Sequence, residues 1–191
     1  MVKVAVVYHS GYGHTKKQAE AVARGAGSVA NVNVQLISVV DADAHWDDLA
    51  QADAIIFGAP TYMGSLSAEF KKFMEASSKP WFTQVWKNKI AAGFTNSASM
   101  NGDKLNSLVQ LSVFAAQHSM IWVSLGLMPS NSSKAQRNDP NYLGSYLGAM
   151  AQSSSDAGSD VAPPQGDLDT AEQYGKRVAE IAGQFVAGRA A

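Results

Sequence analysis

A glycine-rich stretch near the start of the chain carries the residue types of a phosphate-binding turn. Ser10, His14 and Thr15 supply side-chain donors, while Gly11 and Gly13 permit positive φ angles and a close approach of the backbone. The apolar run before the stretch predicts a buried strand, and the apolar spacing after it predicts a helix. A strand that turns directly into a helix points backbone N–H groups and the positive end of the helix dipole at one place.

The spacing in this stretch excludes two common phosphate motifs. The residue directly after Gly13 is not Lys, so the stretch is not a nucleoside-triphosphate loop. Gly11-Tyr12-Gly13 has no third glycine three residues later, so it is not a dinucleotide fingerprint either. We therefore expect a hydroxyl-rich pocket for one phosphate monoester, held without a metal. The alternative is a glycine-rich turn that binds nothing.

Two more polar loops follow apolar runs later in the chain. Residues 60–64 offer backbone N–H groups and the flat side chain of Tyr62, and residues 95–102 offer hydroxyls, an amide and more backbone N–H groups. A ligand that contacts all three loops has a phosphate at one end and a flat, hydrogen-bonding heterocycle at the other. Flavin mononucleotide (FMN) fits this description, and a nucleoside monophosphate is the alternative.

The elements that must position these loops alternate between strand and helix. The predicted strands cover residues 2–9, 32–38, 53–60, 89–96 and 120–123, and Pro60 is expected to end the third. Helices are predicted from about Thr15, from near Ser67, from about Lys104 to His118, and at the end of the chain, where Asp169 and Glu172 would form a capping pair. This order predicts an α/β fold, a doubly wound five-stranded parallel sheet with helices on both faces.

The fold class predicts where a ligand binds. In doubly wound sheets the site lies at the carboxyl ends of the strands, and all three polar loops follow such ends. Residues 124–166 are rich in Ser, Asn, Gly and Pro and show weak periodicity, so we expect a long excursion there rather than a second domain. Residues 1–191 are accordingly expected to form a single domain.

Composition excludes several classes of partner. A net charge of −1 favours neither nucleic acid nor an anionic membrane surface. No apolar run is long enough to cross a bilayer, and a strand that starts at Val2 leaves no room for a signal peptide. The chain has no cysteine, which removes thiol catalysis and thiolate metal sites. We expect a cytoplasmic protein with no metal site.

The motifs together resemble a known family. Residues 10–15 resemble the flavodoxin phosphate loop in the form seen in the tryptophan-repressor-binding-protein family of NAD(P)H:quinone oxidoreductases. Residues 58–64 are similar to that family's flavin loop, usually G-x-P-T-R-F-G, although Tyr62 and Met63 replace its Arg and Phe. Residues 94–97 match its second flavin loop, which here lacks a run of glycines, and residues 117–120 resemble its H-H-G-M. The likeness covers residues 1–123 and returns in the last helix.

The resemblance implies a flavodoxin-like fold and an FMN enzyme that moves two electrons from NAD(P)H to quinones, assembled as a dimer or tetramer. By position it implies that His118 lies beside the flavin and donates a proton or hydrogen bond to the quinone, and that Trp81 walls the substrate site, in its own or a neighbouring subunit. Tyr12 would contact the nicotinamide cofactor. The residues that would bind FMN are Ser10, Gly11, Tyr12, Gly13, His14, Thr15, Pro60, Thr61, Tyr62, Met63, Gly64, Thr95, Asn96, Ser97, Ala98, Ser99 and Gly102.

Other functions remain open at this point. A flavodoxin-type electron carrier has the same fold, but such carriers are usually strongly acidic around the flavin, and a net charge of −1 argues against that role. An FMN or azo reductase differs only in its acceptor. A binding or scaffold protein that has lost the cofactor is a further alternative. For His118, the alternative to catalysis is a residue at a helix C-terminus that interacts with the dipole.

Overall fold

The computed structural model describes residues 1–189. Its strands are β1 (Val2–Tyr8), β2 (Val32–Ser38), β3 (Ala54–Tyr62), β4 (Ser65–Leu66), β5 (Ile90–Ser97), β6 (Ile121–Trp122) and β7 (Ala149–Gln152). Its α-helices are α1 (His14–Gly27), α2 (Trp46–Gln51), α3 (Ala68–Ala76), α4 (Ser78–Phe82), α5 (Lys104–Gln117) and α6 (Gln165–Arg189), and a 3₁₀ helix spans Val39–Ala44. No helix within residues 1–189 is both long and apolar enough to span a membrane.

The parallel sheet runs in the order β2-β1-β3-β5, and its fifth position is shared by two short strands. β6 pairs with Ile90 and Ala91 at the start of β5, whereas β7 pairs with residues 94–97 at its end. The five-position parallel sheet is therefore as predicted. The excursion at 124–166 differs from its prediction, because it returns to the sheet as β7.

The two faces of the sheet bury different layers of helices. Val4 and Val6 of β1 pack with α1 and α6, while Ala5 and Val7 pack with α3 and α5 on the other face. This alternation follows from the two-residue period of a strand. Helices on both faces explain why β1, β3 and β5 are apolar along almost their whole length.

Close contact between α1 and α6 depends on glycine. A Cβ atom at Gly25 would lie 1.8 Å from the carbonyl oxygen of Glu172, and one at Gly175 would lie 2.0 Å from that of Val22. The two helix backbones therefore touch at two reciprocal places where no side chain fits.

Two local predictions are wrong. β3 continues through Pro60 to Tyr62, because the pairing with β1 ends at Gly58 and no neighbour on that side needs a proline N–H. α6 begins at Gln165, directly after Pro164, so Asp169 lies inside the helix and does not cap it. On α5 the buried residues include Leu108, Leu111 and Phe114, while Leu105 and Val109 are exposed.

Candidate functional site: a cavity at the carboxyl edge of the sheet

The first loop folds around the hydroxyl of Ser10. Its Oγ accepts hydrogen bonds from the backbone N–H groups of Gly13 and Lys16, each at 3.1 Å. Because both lone pairs are used, the Ser10 O–H is left to donate outward. Gly13 precedes α1 with a left-handed φ of 90°, so the first N–H groups of the helix open toward the same place.

The second loop is a tight hairpin between β3 and β4. Met63 and Gly64 have φ values of 49° and 77°, and two consecutive positive values define a type I′ turn. The hairpin places the Tyr62 hydroxyl close to the first loop. A Cβ atom built on Gly11 would lie only 2.6 Å from the Tyr62 oxygen. Burial raises the pKa of Tyr62. The ring of Tyr12 meets that of Tyr62 edge-on, with centroids 6.3 Å apart.

A chain of hydroxyls fixes the second loop to the sheet. Thr95 Oγ1 donates to the carbonyl oxygen of Ala59 at 2.7 Å. Since that uses its proton, Thr61 donates to Thr95 and Ser107 donates to Thr61, both at 2.7 Å. Thr95 is fully buried in this chain and its side chain does not line the cavity. Its hydroxyl therefore contributes to the site by fixing the second loop to β5.

The third loop contributes less to the cavity than predicted. Asn96, Ser97 and Ala98 line it, but Ser99 and Gly102 do not. The carbonyl of Ser99 instead accepts from the Ser97 hydroxyl at 2.9 Å. Gly102 turns the chain away from the cavity with a φ of 57°.

A fourth wall comes from the segment after β7, residues 153–158, which the sequence prediction missed. Ser153 donates its backbone N–H to the carbonyl of Ser97 at 3.0 Å and its hydroxyl to Asn96 Oδ1 at 3.2 Å. The His14 ring donates from Nε2 to the carbonyl of Ala157 at 2.9 Å. The only sequence signal for this wall is the serine run that follows the apolar–polar alternation of β7.

Behind the fourth wall lies an ion pair whose carboxylate is buried. Arg137 donates two hydrogen bonds to the Asp167 carboxylate, at 2.7 and 2.6 Å, and Asp167 is only 2% exposed. The same carboxylate accepts the backbone N–H of Gln152 at 2.8 Å, and the Gln152 side chain donates to the carbonyl of Ala98 at 2.7 Å. The pair therefore fixes β7 and, through Gln152, the third loop.

These loops enclose a cavity of about 710 Å³. That volume falls within the range of roughly 300–1,000 Å³ found for small-molecule and cofactor sites. Of the predicted FMN-binding residues, Gly11, Gly13, Gly64, Thr95, Ser99 and Gly102 shape the loops or the sheet without lining the cavity. The lining residues are Ser10, Tyr12, His14, Thr15, Pro60, Thr61, Tyr62, Met63, Asn96, Ser97, Ala98, Ser153, Ser154, Ser155, Ala157 and Gly158.

Within one chain the structure does not bring His118 or Trp81 to this cavity. Both line a second cavity, of about 590 Å³, between α3, α4 and α5. His118 is 2% exposed and its ring lies 4.2 Å from that of Trp86, centroid to centroid. Within a single chain His118 lies apart from this cavity, because it follows the last turn of α5, far along the helix from the third loop. Its position beside the cofactor stays a prediction.

The hydrogen bonds of His118 also argue against the expected proton donation. Ser77 Oγ donates to the carbonyl of Met74, so it accepts from His118 Nε2–H at 2.9 Å. His118 Nδ1 is buried and has no hydrogen-bond partner among residues 1–189. Burial lowers the pKa of His118 to about 4. The imidazole is therefore neutral near pH 7, and its one N–H is already engaged.

A parallel doubly wound sheet with a hydroxyl-rich cavity at its carboxyl edge defines the flavodoxin-like class of α/β proteins. The sequence profile of the flavodoxin domain matches residues 5–121. The chain belongs to the flavodoxin-domain family.

Comparison with individual proteins supports the same family. The chain is 50% identical over 192 aligned residues to Flavodoxin FldP of Pseudomonas aeruginosa, with 97% of this chain and 99% of that protein covered. It is 32% identical to an NAD(P)H dehydrogenase (quinone) of Aromatoleum aromaticum, with both chains fully covered. The crystal structure of a flavodoxin, WrbA-like protein from Agrobacterium tumefaciens superposes with a TM-score of 0.76 at 46% identity, covering 96% of this chain and 99% of that one.

Proposed function

We propose that the protein is an FMN-dependent oxidoreductase that transfers two electrons from NAD(P)H to quinone-like acceptors. The observation that carries the proposal is the convergence of three loops on one cavity at the carboxyl edge of the sheet. One end of the cavity has the chemistry of a phosphate site, and the other has flat and hydrogen-bonding groups. The relatives named NAD(P)H dehydrogenase (quinone) supply the electron donor and the class of acceptor.

The phosphate end fits an FMN phosphate without a metal. Ser10 donates its hydroxyl, Thr15 lines the cavity, and the N-terminus of α1 contributes backbone N–H groups and partial positive charge. The side chains that line the cavity include no Asp or Glu, so a dianion meets no fixed negative charge there.

The other end fits a flavin ring. Tyr62 offers an aromatic surface, and the Asn96–Ala98 backbone offers polar groups at the ends of two neighbouring strands. Bound FMN would supply hydride chemistry, accepting a hydride from NAD(P)H and returning two electrons to the acceptor. The role of the protein is to bind and orient the ring and to control which molecules reach it. Tyr12, 79% exposed, and the fully exposed Met63 form an uncharged rim suited to an apolar quinone.

An electron carrier is the second candidate, because the relative at 50% identity is named a flavodoxin. A carrier exchanges electrons with protein partners and does not turn over NAD(P)H with a quinone. An FMN or azo reductase would share the donor and differ in the acceptor. Homo-oligomerisation and a cytoplasmic location stay predictions.

The first test is the visible spectrum of the purified protein with FMN, followed by steady-state oxidation of NADH and of NADPH with benzoquinone. We expect a shifted flavin spectrum and turnover with one or both nucleotides. A flavin spectrum without turnover would replace the enzyme with the carrier. A protein that stays colourless and releases no heat on titration with FMN would refute both.

The second test separates the phosphate site from general damage. Replacing Ser10 and Thr15 together with Ala removes two hydroxyls, each worth about 1.5–3 kcal/mol when bonded to a charged group, so FMN affinity should fall at least ~100-fold. The matched control replaces Thr83 and Ser112, two exposed hydroxyls that bond only to nearby carbonyls, and should leave FMN affinity unchanged. Equal affinity in both double variants would refute the phosphate assignment.

A further inference from the structure

Lys104 is a fully buried lysine behind the third loop of the cavity. It is the first residue of α5 and is 0% exposed. Its Nζ donates to Ser97 Oγ at 2.7 Å, to the carbonyl of Ser99 at 2.6 Å and to the carbonyl of Met100 at 3.0 Å. One ammonium group thus satisfies all three of its donors on three residues of one loop.

This placement is unfavourable for a lysine by two independent measures. Burial disfavours the charged form, and it lowers the pKa of Lys104 to about 8. The first turn of a helix also carries partial positive charge, which repels a cation. Asp167 of α6 favours the charge and Arg137 opposes it, and these two groups are committed to each other. Lys104 makes no salt bridge with any residue in the part of the chain that the structure describes.

The three hydrogen bonds hold a strained loop in shape. Gly102 and Asp103 both have left-handed backbones, with φ values of 57° and 56°. Carbonyl groups that this turn directs inward need donors, and Lys104 supplies them. One of the loop residues that Lys104 contacts, Ser97, lines the cavity, so the charge lies one hydroxyl behind the cavity wall.

No lining side chain is a lysine or arginine, so Lys104 is the cation that backs this wall. FMN that accepts a hydride gains two electrons and one proton, and its ring gains one negative charge. A buried cation close to that ring stabilises the reduced form more than the oxidised form.

We propose that Lys104 is a positioning residue that holds the third loop in its cavity-forming shape and, through its charge, favours reduced over oxidised FMN. The inference rests on the proposed function, because it needs FMN in the cavity. It concerns a residue outside the cavity lining and outside the motifs that indicated the cofactor.

The test compares Lys104→Met with Lys89→Met. Lys89 is a fair match, because it is partly buried, its pKa is also lowered by burial, and its Nζ donates to the carbonyls of Ala50 and Ala52. Lys89 lies immediately before β5, whereas the cavity is at the other end of that strand. The measurements are the FMN dissociation constant by fluorescence quenching and the two-electron midpoint potential of bound FMN by reductive titration against a reference dye.

We expect Lys104→Met to bind oxidised FMN at least tenfold more weakly than the wild type. We also expect the variant to lose at least tenfold more affinity for reduced FMN than for oxidised FMN. That difference lowers the midpoint potential of bound FMN by at least about 30 mV, because FMN takes up two electrons. Lys89→Met should match the wild type in both. Lys104→Gln keeps a donor without the charge, so it should recover part of the affinity and none of the potential.

Each other outcome has a definite meaning. Unchanged affinity and potential in Lys104→Met would overturn the inference, and weaker binding with an unchanged potential would overturn its charge component. If Lys104→Met does not fold, the pH dependence of the midpoint potential of the wild type tests the charge component instead. Its midpoint potential should fall more steeply with pH above about pH 8, where Lys104 loses its proton, and a constant slope would overturn the charge component. A wild type that does not bind FMN would refute the proposed function itself.

Discussion

The buried imidazole of His118 should make the stability of the protein depend on pH. The folded state holds the pKa of His118 at about 4, whereas an unfolded chain has a value near 6.5. Below pH 6.5 the unfolded chain therefore binds a proton that the folded chain does not, so acid favours unfolding. At about 1.4 kcal/mol per pKa unit, His118 alone should remove about 3 kcal/mol of stability between pH 7 and pH 4, with no further loss below pH 4.

The perturbation that isolates this effect is His118→Gln. Glutamine keeps an N–H for Ser77 and does not titrate. Urea unfolding of both proteins at intervals from pH 8 to pH 4 gives the difference in their free energies of unfolding, in which all other titrating groups cancel. We expect the wild type to be the more stable at pH 8, by about 1 kcal/mol for the better-packed ring. Its advantage should begin to fall near pH 6.5, disappear near about pH 6 and reverse below that.

Two observations would refute this reasoning. One is a difference between the two proteins that stays constant from pH 8 to pH 4. The other is an NMR titration in which the His118 ring protonates near pH 6.5, or carries its proton on Nδ1 at pH 7. A constant difference or a pKa near 6.5 would mean that the ring is accessible to solvent, and a proton on Nδ1 would mean that Nε2 does not donate to Ser77. Each would reopen the proton-donor role that the resemblance implies.

Two further predictions concern the framework around the cavity. Gly175→Ala forces a Cβ atom against a backbone oxygen of α1, so it should lower the free energy of unfolding by about 2–3 kcal/mol in urea titration. The control is Gly183→Ala on the same helix, where a Cβ atom meets nothing within 4 Å and the change should be neutral or slightly stabilising. Asp167→Asn leaves the guanidinium of Arg137 without its carboxylate and should cost about 2–4 kcal/mol by the same assay, whereas Glu180→Gln, which breaks an exposed ion pair, should cost less than about 1 kcal/mol. Equal effects within either pair of variants would contradict the close packing or the buried ion pair.

The sequence predicted those parts of the fold whose signals are local. β1, β3 and β5 are buried on both faces, so they are apolar along most of their length, and the loops that follow them are polar and carry glycines. The loop around Ser10 was predictable because a strand, a glycine turn and a helix follow one another without interruption. The same logic located the other two loops, since in a parallel sheet the carboxyl ends lie together.

Parts of the site that depend on non-local pairing could not be predicted. β7 has only four residues, and its place beside β5 is fixed by hydrogen bonds across more than 50 positions of sequence. Lys104 illustrates the same limit, because an isolated lysine at a helix start resembles any exposed lysine until the loop folds over it. His118 shows the limit of a family motif, which predicts a role beside the cofactor but does not predict that the ring is buried away from the cavity in a single chain.

The split fifth position of the sheet explains how a segment without regular structure can form a cavity wall. β6 pairs with β5 for only two residues, which leaves the cavity end of β5 without a neighbour on the side away from β3 until the chain returns as β7. Asp167 secures this return from α6, because its carboxylate binds both Arg137 and the backbone of Gln152. Gln152 in turn holds the carbonyl of Ala98 at the cavity lining. Breaking this pair should therefore weaken FMN binding as well as stability. Gly175→Ala, which disturbs the contact of the middle of α6 with Val22 of α1, should instead reduce stability and leave FMN affinity unchanged in the molecules that remain folded.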